Sequence, residues 1–308
     1  MSQNNQSWVT EFLFLGLSDD PQIQVLLFVL FLGIYLVTVL GSLLLIYLVL
    51  IDSQLHTPMY FFLCNLSLAD FGQSNSIVPQ TLVHLLTKKK VVSFMGCAAQ
   101  LFFSLVFGGT QCALLAVMSY DRYFAVCDPM HYPLIMTGKI CARLSLGCWT
   151  SGTVVSLVDT AFTLCLPYQG NNRIDHFICE APALLAVASA NSHKAETAMF
   201  LMGVVILLVP VSLILASYCS ITVTVLRIKT TSGKLKAFST CGSHLLVVIL
   251  FYGTAIIAYM TSNASKEQTK VIAVFYTVIN PMLNPLIYSL RNKEVKQALK
   301  NAIKRWKF

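Results

Sequence analysis

The chain has 308 residues, 56% of them hydrophobic and only 11% charged, with a formal net charge of +8. Ordinary soluble domains carry roughly 25% charged residues, so this composition excludes that class and identifies a membrane protein. A basic excess at the edges of membrane spans suits anionic lipid and protein partners and leaves no role for nucleic acid.

A bilayer core of about 30 Å is crossed by roughly 20 apolar residues at about 1.5 Å each. Seven such runs lie near residues 23–50, 58–83, 95–121, 140–165, 197–226, 238–261 and 270–290. Backbone groups in lipid must be satisfied internally, and runs this long without period-two alternation are helices. The expected fold is an all-α membrane protein with one domain over 1–308. It comprises an outer tail (1–22), a seven-transmembrane helix bundle (23–291) and a cytoplasmic helix and tail (292–308).

The first run follows polar and acidic residues, including Glu11, Asp19 and Asp20, without a basic leader or a small-residue cleavage site. It reads as a retained span and not as a signal peptide. With the N-terminus outside, inner segments hold fourteen of the 21 basic residues, so this orientation is expected although Lys88-Lys89-Lys90 opposes it. The two halves show no internal repeat, which argues against a channel or transporter.

Charge inside a span is costly, so each such residue is a functional candidate. Asp70 lies in the second span, Asp159 in the fourth, and Asp121-Arg122 end the third; for Asp159 a polar contact that only joins helices is the competing reading. In the seventh span Asn280, Asn284 and Tyr288 recur every four residues on one face, while Pro281 and Pro285 remove backbone donors and loosen the helix. Cys97 opens the third span and Cys179 lies in the long connection 166–196. Both fall on the oxidising side, where a bridge between them would pin that connection over the bundle. At about 1.5 Å per residue, some 37 Å of helix separate Cys97 from Arg122 and put them at opposite membrane faces. Cys64, Cys112, Cys148, Cys165, Cys219 and Cys241 fall in apolar spans as small hydrophobes, and no Cys-x-x-Cys pair marks a metal or redox site.

"LHTPMYFFLCNLSLAD", "MSYDRYFAVCDPMHYP", "KAFSTCGSH" and "PMLNPLIYSLRN" follow in order on the expected spans. Together they resemble the odorant (olfactory) receptors, a branch of the rhodopsin-like G-protein-coupled receptors. The resemblance covers nearly the whole chain. It implies a plasma-membrane receptor, not an enzyme, that binds small, largely neutral volatile molecules and activates a stimulatory olfactory-type G protein to raise cyclic AMP. It implies that Asp121, Arg122 and Tyr123 form an inner-face switch in which the aspartate holds the arginine at rest. Tyr218 and Tyr288, the latter in "NPLIY" with Asn284 and Pro285, would swing toward that arginine. Lys236 to His244 would form the inner end of the sixth span, which moves outward, and Phe251-Tyr252-Gly253 its hinge. The implied ligand lining is Leu101, Ser104, Leu105 and Gly108 of the third span, Met202 and Ile206 of the fifth, Tyr252, Ile256 and Tyr259 of the sixth, and Thr277 of the seventh. Ser104 stands where related amine receptors carry an aspartate, so an amine finds no counter-ion there. The alternatives are a related receptor for a non-odorant small ligand and, further off, a peptide or hormone receptor, which a larger N-terminal domain would favour.

The sequence departs from the family pattern in three places. The usual Gly-Asn of the first span is Gly41-Ser42, a glutamate in the third span is Gln111, and a second pair of outer cysteines is Gln169 and Ser189. The resemblance groups Ser42, Asp70, Gln111 and Asn284 in a mid-membrane sodium cluster, which Gln111 weakens by removing a ligand charge; no other cofactor is implied. With the second bridge missing, the connection is expected to hang on Cys97–Cys179 alone and to be more mobile around Asn171 and Asn172. Asn5-Gln6-Ser7 and, less strongly, Asn263-Ala264-Ser265 read as glycosylation acceptors, while Asn65-Leu66-Ser67 lies inside a span. Val295, Leu299, Ala302 and Trp306 share one side of the tail, which suits a short interfacial helix.

Overall fold

The computed structural model describes residues 9–168, 172–188, 193–260 and 265–306. Asn5, Asn263, Gln169, Asn171 and Ser189 lie outside the described residues, and the side chains of Tyr259, Lys236 and Trp306 are likewise not described.

Seven long helical segments form the bundle. They are α1 (Pro21–Ile51), α2 (Pro58–Leu86), α3 (Phe94–Cys127), α5 (Gly138–Leu164), α7 (His193–Arg227), α8 (Thr231–Met260) and a composite seventh. The seventh runs as α9 (Lys266–Val274), a π-helical turn (Phe275–Ile279) and α10 (Asn280–Arg291). Short helices α4 (Tyr132–Ile135) and α6 (Ala181–Leu185) fill connections, and α11 (Lys293–Trp306) follows the bundle. The π turn ends where Pro281 and Pro285 enter; a wide turn of this kind relaxes the ladder beside residues that lack an N–H donor.

Local chemistry sets the helix starts. Asp20 caps α1 through the Gln22 N–H at 2.8 Å with Pro21 as first helical residue, and Ser93 caps α3 through the Gly96 N–H at 3.0 Å. Ser265 and Gln268 form a reciprocal capping box on α9.

Among the described residues, five segments are long and apolar enough to cross a membrane on length and composition: α1, α3, and the stretches Leu201–Arg227, Cys241–Ala258 and Glu267–Leu290. Helices α2 and α5, at 29 and 27 residues, have the length but are more polar. Much of that polarity is buried, as with Ser67, Asp70, Gln73, Ser74 and Thr81 of α2 and Ser145, Ser156 and Thr160 of α5. Asn65 of α2 accepts from the Ser145 hydroxyl at 2.8 Å and the Trp149 indole N–H at 3.0 Å, which ties α2 to α5 and explains this glycosylation-like triplet as a helix contact.

Helices α3 and α5 approach closely at Gly152. A Cβ there would stand 2.5 Å from Thr110 Oγ1 and 2.8 Å from the Val106 carbonyl oxygen. Nearby, the Ser156 hydroxyl donates to the Phe102 carbonyl at 2.6 Å.

The all-α expectation misses one feature, a three-stranded sheet of β1 (Glu11–Phe14), β2 (Val91–Ser93) and β3 (Arg173–Ile174) in the order β2-β1-β3. β1 pairs antiparallel with β2 and parallel with β3. Phe12, Phe14, Val92 and Ile174 pack with Leu101, Leu166, Tyr168, Leu184 and the Cys97–Cys179 disulfide in one buried cluster. Lys90 is only 8% exposed; its ammonium donates to the Leu15 carbonyl at 2.9 Å and approaches Asp19 at 4.0 Å. This lysine clamps β1, which accounts for a cation in the cluster that opposes the charge rule.

The bridge predicted from the sequence is present, and the other eight cysteines are free. The expectation that it alone holds the connection is corrected. The Leu13 N–H donates to the Asn172 carbonyl at 2.8 Å, and the Asn172 side chain donates to the Glu11 carbonyl at 3.0 Å. The Cys179 N–H donates to Gln100 Oε1 at 2.8 Å, and Lys270 pairs with Asp175 at 2.8 Å. Asn172 is therefore a sheet-edge anchor, because β1 supplies the partners that a second disulfide would otherwise replace.

Introducing a methyl group at Gly152 should overpack the α3–α5 crossing, at a cost of about 1–3 kcal/mol. Thermal unfolding of purified Gly152→Ala should show a lowered midpoint. Gly147→Ala on the same helix, where a Cβ meets nothing within 4 Å, should not lower the midpoint and, by helix propensity, should raise it slightly.

Candidate functional site

The C-terminal turns of α3 carry a buried ion pair. Arg122 Nε donates to Asp121 Oδ2 at 3.0 Å and Nη2 donates to the same oxygen, with both residues buried. The remaining oxygen, Oδ1, accepts from the Tyr132 hydroxyl of α4 at 2.8 Å. Burial, and then the adjoining Asp121 carboxylate, push the Tyr132 phenol above its ordinary value, so it stays protonated and donates. A buried carboxylate needs all its partners, and here the neighbouring arginine and one tyrosine supply them. The sequence reading missed Tyr132, which "DPMHYP" places ten residues beyond Arg122, at the start of α4.

Beside this pair, Tyr218 of α7 and His244 of α8 stack with ring centroids 5.9 Å apart at 10°. His244 Nε2 lies 3.1 Å from the Leu115 carbonyl, which only accepts, so that nitrogen carries the proton. Nδ1 then accepts from the Tyr218 hydroxyl at 2.7 Å. The histidine thus links α3, α7 and α8 in a single chain of hydrogen bonds. Tyr288 is fully buried nearby in α10, and its hydroxyl has no hydrogen-bond partner among the described residues. Tyr123 is half-buried and packs with Val126 and Cys127 around Ile221, Val225 and Cys241.

Midway along the bundle, Asn284 donates to Asp70 Oδ1 at 2.9 Å. Asp70 Oδ2, Ser42 Oγ and Gln111 Nε2 are buried without a hydrogen-bond partner among the described residues. Of the four residues grouped from the sequence, the structure hydrogen-bonds two to each other. Pro285 lies against α1, where a Cβ on Gly41 would meet its ring at 3.3 Å. Asn280 donates to Thr254 Oγ1 at 3.0 Å, which extends the polar stripe of the seventh span to α8.

The expected ligand residues divide into groups. Ser104, Leu105, Gly108, Met202 and Ile206 keep partial accessibility. Tyr252 is buried and donates to the Cys112 carbonyl at 2.9 Å, and Thr277 is buried and donates to the Ala273 carbonyl at 2.6 Å. Leu101 is buried under the small sheet in the disulfide cluster. Ile256 departs from the expectation: it is 39% exposed, on the flank of α8 shared by exposed Leu245 and Ile249. The buried stripe His244, Val248, Tyr252 continues toward position 255, since a further step of four drifts about 40° around the helix. Two residues escaped the sequence reading. Gln100 donates to the Ser76 carbonyl and Gln80 at 3.1 Å while holding Cys179, and Gln73 is buried with Oε1 unpartnered among the described residues, 4.0 Å from where a Cβ on Gly108 would lie.

Removing the Tyr132 hydroxyl should strip one oxygen of a buried carboxylate of its donor, at a cost of about 1.5–3 kcal/mol. Tyr132→Phe should lower the thermal midpoint, whereas Tyr120→Phe, on an exposed tyrosine of the same region, should not. Equal midpoints for the two variants would contradict the assigned role of Tyr132.

With the geometry in place, comparison with known proteins is direct. The olfactory receptor family model matches residues 31–305. Olfactory receptor 2D2 of Homo sapiens is 67% identical over 305 residues, covering 99% of both chains. The olfactory receptor-like protein OLF3 of Canis lupus familiaris is 52% identical over 300 residues, covering 97% of this chain and 95% of that protein. Among solved structures, squid rhodopsin superposes with a TM-score of 0.74 over 92% of this chain and 86% of its own, at 16% identity, and so shares the fold. The chain is thus a multi-pass membrane receptor and not an enzyme, with a small-molecule ligand and a G-protein partner, and it belongs to the olfactory receptor family.

Proposed function

We propose that this receptor binds small, largely neutral odorants in the half of the bundle that holds the disulfide and signals at the opposite end. There it catalyses nucleotide exchange on a stimulatory olfactory-type G protein and raises cyclic AMP. The observation that carries this reading is the Asp121–Arg122 pair, capped by Tyr132 and adjoining the Tyr218–His244 link. It is a buried charge held in one of two arrangements. Release of Arg122 toward Tyr288, with the His244 end of α8 displaced, opens a cavity for the G protein. An odorant drives the change only by binding the open state more tightly, about 1.4 kcal/mol for each tenfold shift.

Support for the ligand site comes from the partly accessible face of Ser104, Leu105, Gly108, Met202 and Ile206. Its mostly apolar character, with few hydroxyls, suits a neutral molecule. The receptor sits in the plasma membrane with its N-terminus extracellular and its C-terminus cytoplasmic, the orientation favoured by the basic residues beyond Arg227 and along α11. Asn5 and, more weakly, Asn263 are then available for glycosylation. Val295, Ala298 and Ala302 of α11 are buried against the bundle while Lys293, Lys296, Lys300 and Lys304 are exposed. That division fits a helix lying at the interface with its lysines among lipid headgroups.

The unpartnered oxygens of Asp70 and Ser42 are a fitting donor pair for sodium. Gln111 contributes no charge, so any hold on the ion is weak. Gln111→Glu should increase the effect of sodium on basal signalling; an unchanged salt response would remove sodium from the account.

The central test is a cyclic-AMP reporter screen of a chemically broad odorant panel. At least one odorant should raise the signal in the wild type, and Arg122→Ala should lower that response by about tenfold or more at equal surface expression. A response that survives the substitution overturns the mechanism.

A further inference from the structure

A groove lies between α7 and α8 near the Arg122 end of the bundle. Ile221, Val225 and Leu226 of α7 face Cys241 and Leu245 of α8 across a half-open groove of about 120 Å³. All five lie within membrane-spanning stretches, and Leu226 and Leu245 are exposed at the rim. Entry is therefore from the bilayer. The polar groups at the floor are already engaged: the Tyr218 hydroxyl is bonded to His244, and the Thr222 hydroxyl donates to the Tyr218 carbonyl at 2.8 Å. What remains is an apolar wall that offers nothing to an ion or to a strongly hydrogen-bonding molecule.

Size narrows the occupant further. An apolar cavity of about 150 Å³ stays dry and takes up benzene. A groove of this volume suits a neutral, bilayer-dissolved molecule of about six carbon atoms and is too small to hold a whole phospholipid acyl chain. The geometry points to a site for small apolar molecules that bridges α7 and α8 and holds the receptor in its resting arrangement. Its walls belong to the two helices joined by the Tyr218–His244 contact. A molecule touching both gains contact only while they stay together, so it opposes displacement of α8. Volatile odorants are of the same physical class, so one compound at high concentration would occupy this groove and depress the response that it evokes at low concentration.

Photolabelling of the purified receptor in lipid nanodiscs tests the site. The probe is 3-pentyl-3H-diazirine, which loses nitrogen on irradiation and inserts as a carbene. Labelling should saturate on the peptides spanning Ile221–Leu226 and Cys241–Leu245, at several times the level on the exposed lipid face of α1. Excess benzene should displace it, and Val225→Phe, which fills the groove, should abolish it there while labelling of α1 persists. Uniform, non-saturating labelling of all lipid-facing helices would overturn the proposal, as would labelling that neither benzene nor the substitution reduces. Displacement by lipids of altered chain length, but not by benzene, would assign the groove to acyl chains and also overturn it. These readouts do not depend on the proposed signalling route. The inhibitory role does rest on it: benzene should lower odorant-independent cyclic AMP severalfold in the wild type and leave Val225→Phe unaffected. A bound groove with unchanged basal signal overturns that role alone.

Discussion

Helix α3 is the strut on which the remaining elements are fixed, and its two ends are held by unlike bonds. At one end Cys97 is covalently joined to Cys179, with Gln100 holding the same backbone by a hydrogen bond. At the other, Asp121 is held by Arg122 and Tyr132 through contacts that can be exchanged. Between them, Gly152 lets α5 lie directly against α3, and the Cys112 carbonyl and the Leu115 carbonyl receive α8 through Tyr252 and His244. A permanent bond at one end and a replaceable one at the other give the molecule a fixed reference against which movement can occur.

The polar groups inside the bundle follow the same division. Asn65, Ser145 and Trp149 form a closed set in which the shared acceptor is satisfied twice, and they act as a static joint. Asp70 Oδ2, Ser42 Oγ, Gln111 Nε2 and the Tyr288 hydroxyl, by contrast, are buried without hydrogen-bond partners among the described residues. Unsatisfied polar groups in a low-dielectric interior are costly and mark places where a second arrangement or a bound species can lower the free energy. Asp70 and Tyr288 border or belong to the seventh span, where prolines and a π turn loosen the helix.

The sequence made the spans legible because apolar runs of membrane length have few other readings, and it made Asp121 and Arg122 legible because charge stands out in such a run. Cys97 and Cys179 could be paired from position alone. The small sheet was not legible: strands of two to four residues carry no periodicity, and their pairings join segments about 80 and about 160 residues apart in sequence, beyond any local pattern. Tyr132 and Gln100 were missed because polar residues in connections and helix ends are ordinary until a partner is seen.

The position of β1 has a consequence for how the molecule is made. It is the central strand of its sheet, yet it is synthesised before either neighbour, and β3 emerges only after four spans have been threaded. Until β3 emerges, Phe12 and Phe14 have only the part of their cluster that β2 and the start of α3 supply, and the Leu13 N–H awaits an acceptor in residue 172. Closure of the sheet reports that the first four spans have been inserted in the correct order and direction. A span inserted the wrong way round would leave two phenylalanines exposed in water, a form of surface that quality control of nascent membrane proteins can recognise.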